Sequence, residues 1–140
     1  MSVLKRILIV DDDERVLFVL HHTLMRMDNG YEVVTAHGGR EALDRFGEWP
    51  FDLVITDLRM PDMDGLELTG GIRALDSSVA VIWITAYGCY KVRDEAARLA
   101  VCACLDKPLE IAEIRQAVRE ALETPEGQSP SSTSSSTNNS

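Results

Sequence analysis

The chain reads as an α/β domain built on a five-stranded parallel sheet covered by helices on both faces. Three observations predict it: short β-branched runs apolar at consecutive positions, helical apolar stripes between them, and short links that keep strand and helix in strict alternation. With right-handed crossovers, such alternation favours an open sheet over a barrel or a bundle. A composition of 45% hydrophobic and 26% charged residues in a 140-residue chain suits one compact core.

Lys5 to Val10 is apolar on both faces and ends abruptly at Asp11-Asp12-Asp13, which predicts a first strand buried on both sides. Val16, Leu17, Leu20, Leu24 and Met27 then recur at helical spacing, and Asn29-Gly30 supplies a left-handed stop. Tyr31 to Ala36 is the second strand. Gly38-Gly39 opens a helix with Ala42, Leu43 and Phe46 on one face, broken by Trp49-Pro50. Phe51 to Thr56 is a third buried strand running into Asp57, and Met60 to Gly65 is a loop dense in turn formers.

Leu66, Leu68, Ile72 and Leu75 stripe a third helix, which Gly70-Gly71 softens by about 1 kcal/mol per glycine relative to alanine. Val79 to Ile84 is a fourth strand leading to Thr85, and Val92, Ala96, Leu99 and Ala100 suit a fourth helix with a weak stripe. Val101 to Leu105 is the fifth strand, ending at Asp106-Lys107-Pro108, and Ile111, Ile114, Ala117, Val118 and Leu122 mark the closing helix. The domain is therefore expected over residues 1–123. Residues 124–140, rich in Ser, Thr and Asn, cannot bury a core and are expected to be a disordered tail or linker.

With 23 acidic against 14 basic side chains the formal charge is −9, which opposes attraction to a phosphate backbone, and no basic stripe offsets it. The apolar runs are too short to span a bilayer and the N-terminus lacks a secretory pattern, so a cytoplasmic location without membrane attachment is expected. Cys89, Cys102 and Cys104 make an odd count, and the last two are near neighbours along one strand, a poor geometry for a disulfide. Reduced, buried thiols are the expectation; a zinc site lacks both a CxxC pair and a nearby histidine.

In an open parallel sheet, ligands bind beyond the carboxyl ends of the strands where strand order reverses; for the order 2-1-3-4-5 that point lies between the first and third strands. Those strands end in Asp11-Asp12 and Asp57. Carboxylates at close range repel unless a cation joins them, and Mg2+ fits an all-oxygen set that leaves room for water and phosphate. Thr85 and Lys107 arrive at the same edge from the fourth and fifth strands. A carboxylate nucleophile, a cation, an ammonium and a hydroxyl together suit phosphoryl transfer through an aspartyl phosphate. Asp13 alone is explained as a helix N-cap.

Four segments, VDDDE at Val10 to Glu14, DLRMPDMDG at Asp57 to Gly65, TAYG at Thr85 to Gly88 and DKP at Asp106 to Pro108, resemble in order and spacing the response-regulator receiver domain of two-component signalling. The resemblance covers roughly Arg6 to Leu122 and implies a flavodoxin-like receiver. It implies that Asp57 accepts a phosphoryl group from a histidine kinase or phosphotransfer protein. It implies too that Asp12, Asp57 and the main-chain carbonyl of Arg59 bind Mg2+, with Asp11 assisting through water. Thr85 and Lys107 would read the phosphoryl group, and the bond before Pro108 would be cis. Such a domain is a self-phosphorylating switch that also autodephosphorylates, not a metabolic enzyme. Its output would be an unknown partner, a removed output domain or a phosphorylation-dependent homodimer.

Three positions depart from the family pattern. Cys104 stands where a Tyr or Phe is usual three residues before the lysine, and Ala100-Val101 replaces Gly-Ala. A thiol cannot signal by ring rotation, so Tyr87 or Tyr90 is the candidate to carry the signal, and Arg59 and Tyr87 are placed to flank the entry of water. Two rivals follow: a constitutive receiver-like interaction module, motivated by Cys104, and an aspartate-nucleophile phosphatase resembling the haloacid dehalogenase pattern through Asp11 and Asp13. Arg15 departs from the latter.

Overall fold

The computed structural model describes residues 4–27 and 30–123. Its elements follow the expected alternation: β1 (Arg6–Val10), α1 (Glu14–Met25), β2 (Glu32–Ala36), α2 (Gly39–Glu48), β3 (Leu53–Asp57), α3 (Gly65–Leu75), β4 (Ala80–Thr85), α4 (Arg93–Arg98), β5 (Ala103–Asp106) and α5 (Ile111–Glu123). The strands form one parallel sheet in the order β2-β1-β3-β4-β5. The expected tail, 124–140, and Asn29 of the expected helix stop lie outside the described residues. Among those residues no helix is long and apolar enough to cross a membrane.

The two-residue period of the strands divides the core between the sheet faces. Ile7, Ile9, Leu53, Ile55, Ile82 and Ile84 point to one side, where α1 supplies Leu17, Leu20 and Leu24 and α5 supplies Ile114 and Val118. Leu8, Val10, Val54, Val81 and Trp83 point to the other, under Ala42 and Phe46 of α2 and Leu68 and Ile72 of α3. Helices cover both faces, which is why the inner strands β1, β3 and β4 are continuous apolar runs instead of alternating ones.

Local chemistry sets the helix starts. Asp13 caps α1 by accepting from the Arg15 N–H, and Asp64 with Glu67 closes a capping box on α3. Asp62, from the loop before α3, accepts the N–H groups of Gly39 and Arg40 and so caps α2 across space, which holds its carboxyl below the usual range. α3 runs unbroken through Gly70-Gly71.

The expected fourth helix is shorter than its stripe suggested: a 3-10 turn over Cys89–Val92 comes first, and α4 has only six residues. Val92 offers no side-chain acceptor at its N-cap. The far end of α4 is instead clamped by Arg73 of α3, whose guanidinium donates to the carbonyls of Leu99 at 2.8 Å, Ala100 at 3.0 Å and Val79 at 2.7 Å.

Ala100 makes the turn into β5 at φ 58°, the left-handed region that L-residues with a Cβ avoid. Replacing Ala100 by Gly removes that clash at some cost in unfolded-chain entropy. A net gain of about 0.5–1 kcal/mol in urea unfolding is expected; no gain would mean that the turn carries no such strain.

Candidate functional site at the carboxyl edge of the sheet

The site forms where β1 and β3 end side by side, with β4 and β5 beyond them. Asp11 follows β1 and is fully buried, Asp57 is the last residue of β3 and also buried, and Asp12 is exposed. Carboxylate oxygens of the three lie within 4.8 Å of one another. Lys107, one residue beyond β5, places Nζ 3.2 Å from Asp11 Oδ2 and 3.1 Å from Asp57 Oδ2.

Backbone contacts hold each carboxylate in place. The Asp13 N–H donates to Asp11 Oδ1 at 2.8 Å, and the Arg59 N–H donates to Asp57 Oδ1 at 3.3 Å. The start of α3 packs so closely under Asp57 that a Cβ on Gly65 would stand 2.5 Å from the Asp57 carbonyl oxygen, so glycine is required there. Gly65 is itself tied to β4: its carbonyl accepts from Thr69, whose hydroxyl accepts from the buried indole N–H of Trp83.

Thr85 ends β4 and is buried. Its Oγ1 accepts from the Tyr87 N–H at 3.0 Å, and its carbonyl accepts from the Lys107 N–H at 2.8 Å. The Tyr87 ring, half exposed, lies against the Arg59 guanidinium at 4.3 Å, so the two residues expected to flank the site do meet. The Lys107-Pro108 peptide is cis.

Burial is the largest influence on Asp11 and pushes its carboxyl up to about 6, with the Asp57 charge adding to it, against the Asp13 N–H and Lys107. Burial works against the charge on Lys107 as well, but Asp11 and Asp57 together outweigh it and raise the ammonium above its usual range. Three carboxyl groups thus share one ammonium, so acidic groups outnumber basic ones at the site. The donors are all hard oxygens, without imidazole or thiolate, so the cluster fits a divalent cation of the Mg2+ type.

The phosphatase alternative fares worse. Asp13 is occupied as the α1 cap and as the partner of Arg15, 3.2 Å away, and does not join the cluster.

The cysteines require a correction. Cys89, at the start of the 3-10 turn, and Cys104, on β5, are paired as a disulfide with Cα atoms 5.8 Å apart, and Cys102 is an exposed thiol. The expectation of three reduced, buried thiols considered only the neighbouring pair on one strand. Cys104 lies beside Trp83 in the register of β4 and β5, and Gly88, at φ 102°, turns the chain after β4 back toward β5. Asp106 was also missed as a positioning group: its Oδ1 accepts the Cys89 N–H at 2.8 Å. The nearest sequence signal is that Cys89 lies four residues after Thr85 and Cys104 three before Lys107, so both belong to the segments around the last two strand ends.

Comparison with known proteins identifies the family. The description "Response regulator receiver domain" matches residues 7–119. The sporulation initiation phosphotransferase F of Bacillus subtilis (strain 168) is 35% identical over 118 residues, covering 84% of this chain and 94% of that protein. The transcriptional regulatory protein ZraR of Escherichia coli (strain K12) is 36% identical over 116 residues, which span 83% of this chain but only 26% of the regulator. Among solved structures, a CheY-like receiver domain protein from Methanospirillum hungatei JF-1 superimposes with a TM-score of 0.80 at 30% identity, covering 86% of this chain and 95% of its own. The response regulator TrrA of Thermotoga maritima, solved in complex with Mg2+ and BeF, gives 0.76 at 35% identity, covering 85% of this chain and all of its own. With its strand order, its acidic edge and these relatives in agreement, the chain belongs to the response regulator receiver domain family.

Proposed function

We propose that Asp57 accepts a phosphoryl group from a phosphohistidine on a histidine kinase or phosphotransfer protein in the cytoplasm, and that the phosphorylated domain engages an output partner or a second copy. The observation that carries this reading is the Lys107 ammonium set between the Asp11 and Asp57 carboxylates, at an edge where three aspartates gather.

In the transfer, an Asp57 carboxylate oxygen attacks phosphorus, the N–P bond of the donor breaks, and the imidazole leaves with the electron pair. Lys107 offsets the charge on the phosphoryl oxygens. The Thr85 hydroxyl, whose oxygen accepts the Tyr87 N–H, has one hydrogen to donate to one of them. Mg2+ held by Asp12, Asp57 and the Arg59 carbonyl, with Asp11 assisting through water, would supply positive charge to the same oxygens when bound. Arg59 and Tyr87, stacked beside the acceptor, control access of the water that later hydrolyses the acyl phosphate. The chemistry is self-catalysed phosphotransfer and autodephosphorylation.

Incubation with a small acyl phosphate donor and Mg2+, followed by peptide mass mapping, tests the reading. The added phosphoryl group is expected on the peptide containing Asp57; a label elsewhere, or none, overturns it.

A further inference from the structure

The loop that follows Thr85 is short. Only Ala86, Tyr87 and Gly88 separate the buried threonine from Cys89, and Cys89 is bonded to Cys104, three residues before Lys107. The Cys89–Cys104 pair therefore ties together the two strand ends that bring Thr85 and Lys107 to the phosphoryl site. The Asp106 carboxylate, accepting the Cys89 N–H at 2.8 Å, joins the same turn to β5 by a single hydrogen bond, a reversible contact beside the covalent one. Both are half-buried, neither sealed in the core nor fully exposed.

We propose that Cys89 and Cys104 form a redox modification site that cycles between dithiol and disulfide and sets whether the loop after Thr85 can rearrange. The oxidant class is a low-molecular-weight disulfide. One cysteine thiolate attacks it, forming a mixed disulfide and releasing one small thiol; the other thiolate attacks the mixed disulfide and releases the second. Two protein thiols and one small disulfide become one protein disulfide and two small thiols, and an excess of small thiol reverses both steps. Protein disulfides in a reducing compartment are generally transient, which suits a reversible pair better than a permanent staple.

The consequence for signalling rests on the receiver reading above. In the dithiol form, Tyr87 and the 3-10 turn over Cys89–Val92 are free to follow Thr85 as it engages the phosphoryl group. In the disulfide form the covalent tie to β5 holds them in place, and phosphorylation proceeds without reshaping this face.

The test has two independent arms on the full chain. In the first, the protein is equilibrated with oxidised or reduced glutathione, its free thiols are alkylated, and peptides are mapped by mass. Oxidised glutathione is expected to leave a Cys89–Cys104 linked peptide with Cys102 outside the link, and reduced glutathione to return both thiols. Retention of all three thiols, or stable glutathione adducts on Cys89 and Cys104, would overturn the site. In the second, amide hydrogen exchange over residues 86–92 is followed on adding beryllium fluoride with Mg2+, the combination bound in TrrA. A change of at least about fivefold is expected in the reduced protein and less than about twofold in the oxidised one. Equal responses would overturn the coupling. Cys89→Ser, and Cys104→Ser should Cys89→Ser fail to fold, is expected to respond like the reduced protein in either buffer. A chain that cycles its thiols but never takes up phosphoryl at Asp57 would sink the receiver reading and the coupling while the redox site stands.

Discussion

Asp57→Asn is expected to abolish phosphoryl uptake, lowering it by more than about 10³-fold, while the domain keeps its fold. The amide is isosteric but is a poor nucleophile, so no acyl phosphate forms. Stability should hold. Asp57 is buried in a cluster of three carboxylates, and removing one of its charges relieves repulsion, while Lys107 retains its contact with Asp11 at 3.2 Å. Intact mass after acyl phosphate treatment, with urea unfolding of the same sample, checks both halves. A variant that still takes up phosphate would point to Asp11 as the nucleophile and revive the phosphatase alternative.

The second large effect concerns protons. Asp11 is fully buried and its carboxyl stands at about 6 in the fold against 3.8 ordinarily. A folded-state value above the unfolded one means that between these limits the native protein binds more protons than the unfolded chain, so stability falls as pH rises through that window and is level beyond it. The cost of ionised Asp11 is about 3 kcal/mol. In Mg2+-free buffer Asp11→Asn is therefore expected to exceed the natural protein in stability by about 3 kcal/mol above about pH 6, with the difference vanishing near pH 4.

Carboxylates with lowered values, such as Asp62 and Asp76, act in the opposite sense in both proteins and cancel in the comparison. On the proposed reading, saturating Mg2+ should narrow or reverse the gap, because a cation taken up by the ionised cluster of the folded chain would add stability there. Urea midpoints across pH measure this directly. A difference that does not vary with pH would show that Asp11 titrates as an ordinary carboxylate.

Both predictions concern residues whose positions were legible from local pattern. The runs Lys5 to Val10 and Phe51 to Thr56 are apolar on both faces and stop at acids, which reports a doubly covered strand and its exit without any knowledge of the partner strand. The stripe of Leu17, Leu20 and Leu24 likewise reports a helix lying on a sheet. The fourth helix was less legible: its stripe is weak, and a 3-10 turn and a six-residue helix replace the single element expected. Its placement rests on Arg73 and on the conformations of Gly88 and Ala100, none of which has a periodic signal.

The sequence by itself determined the sheet-and-helix alternation, the end of each strand to within one residue and the oxygen character of the site, because backbone geometry imposes periods of 2 and 3.6 on side chains over a few residues. Tertiary structure alone decided that Lys107 bridges Asp11 and Asp57, that the Thr85 hydroxyl accepts from Tyr87, that Asp62 caps a helix from another loop, and that Cys89 meets Cys104. Strand register and the handedness of single turn residues set most of these pairings. A pairing such as Cys89 with Cys104, across 15 residues and a turn at φ 102°, leaves no repeat along the chain from which it could be read.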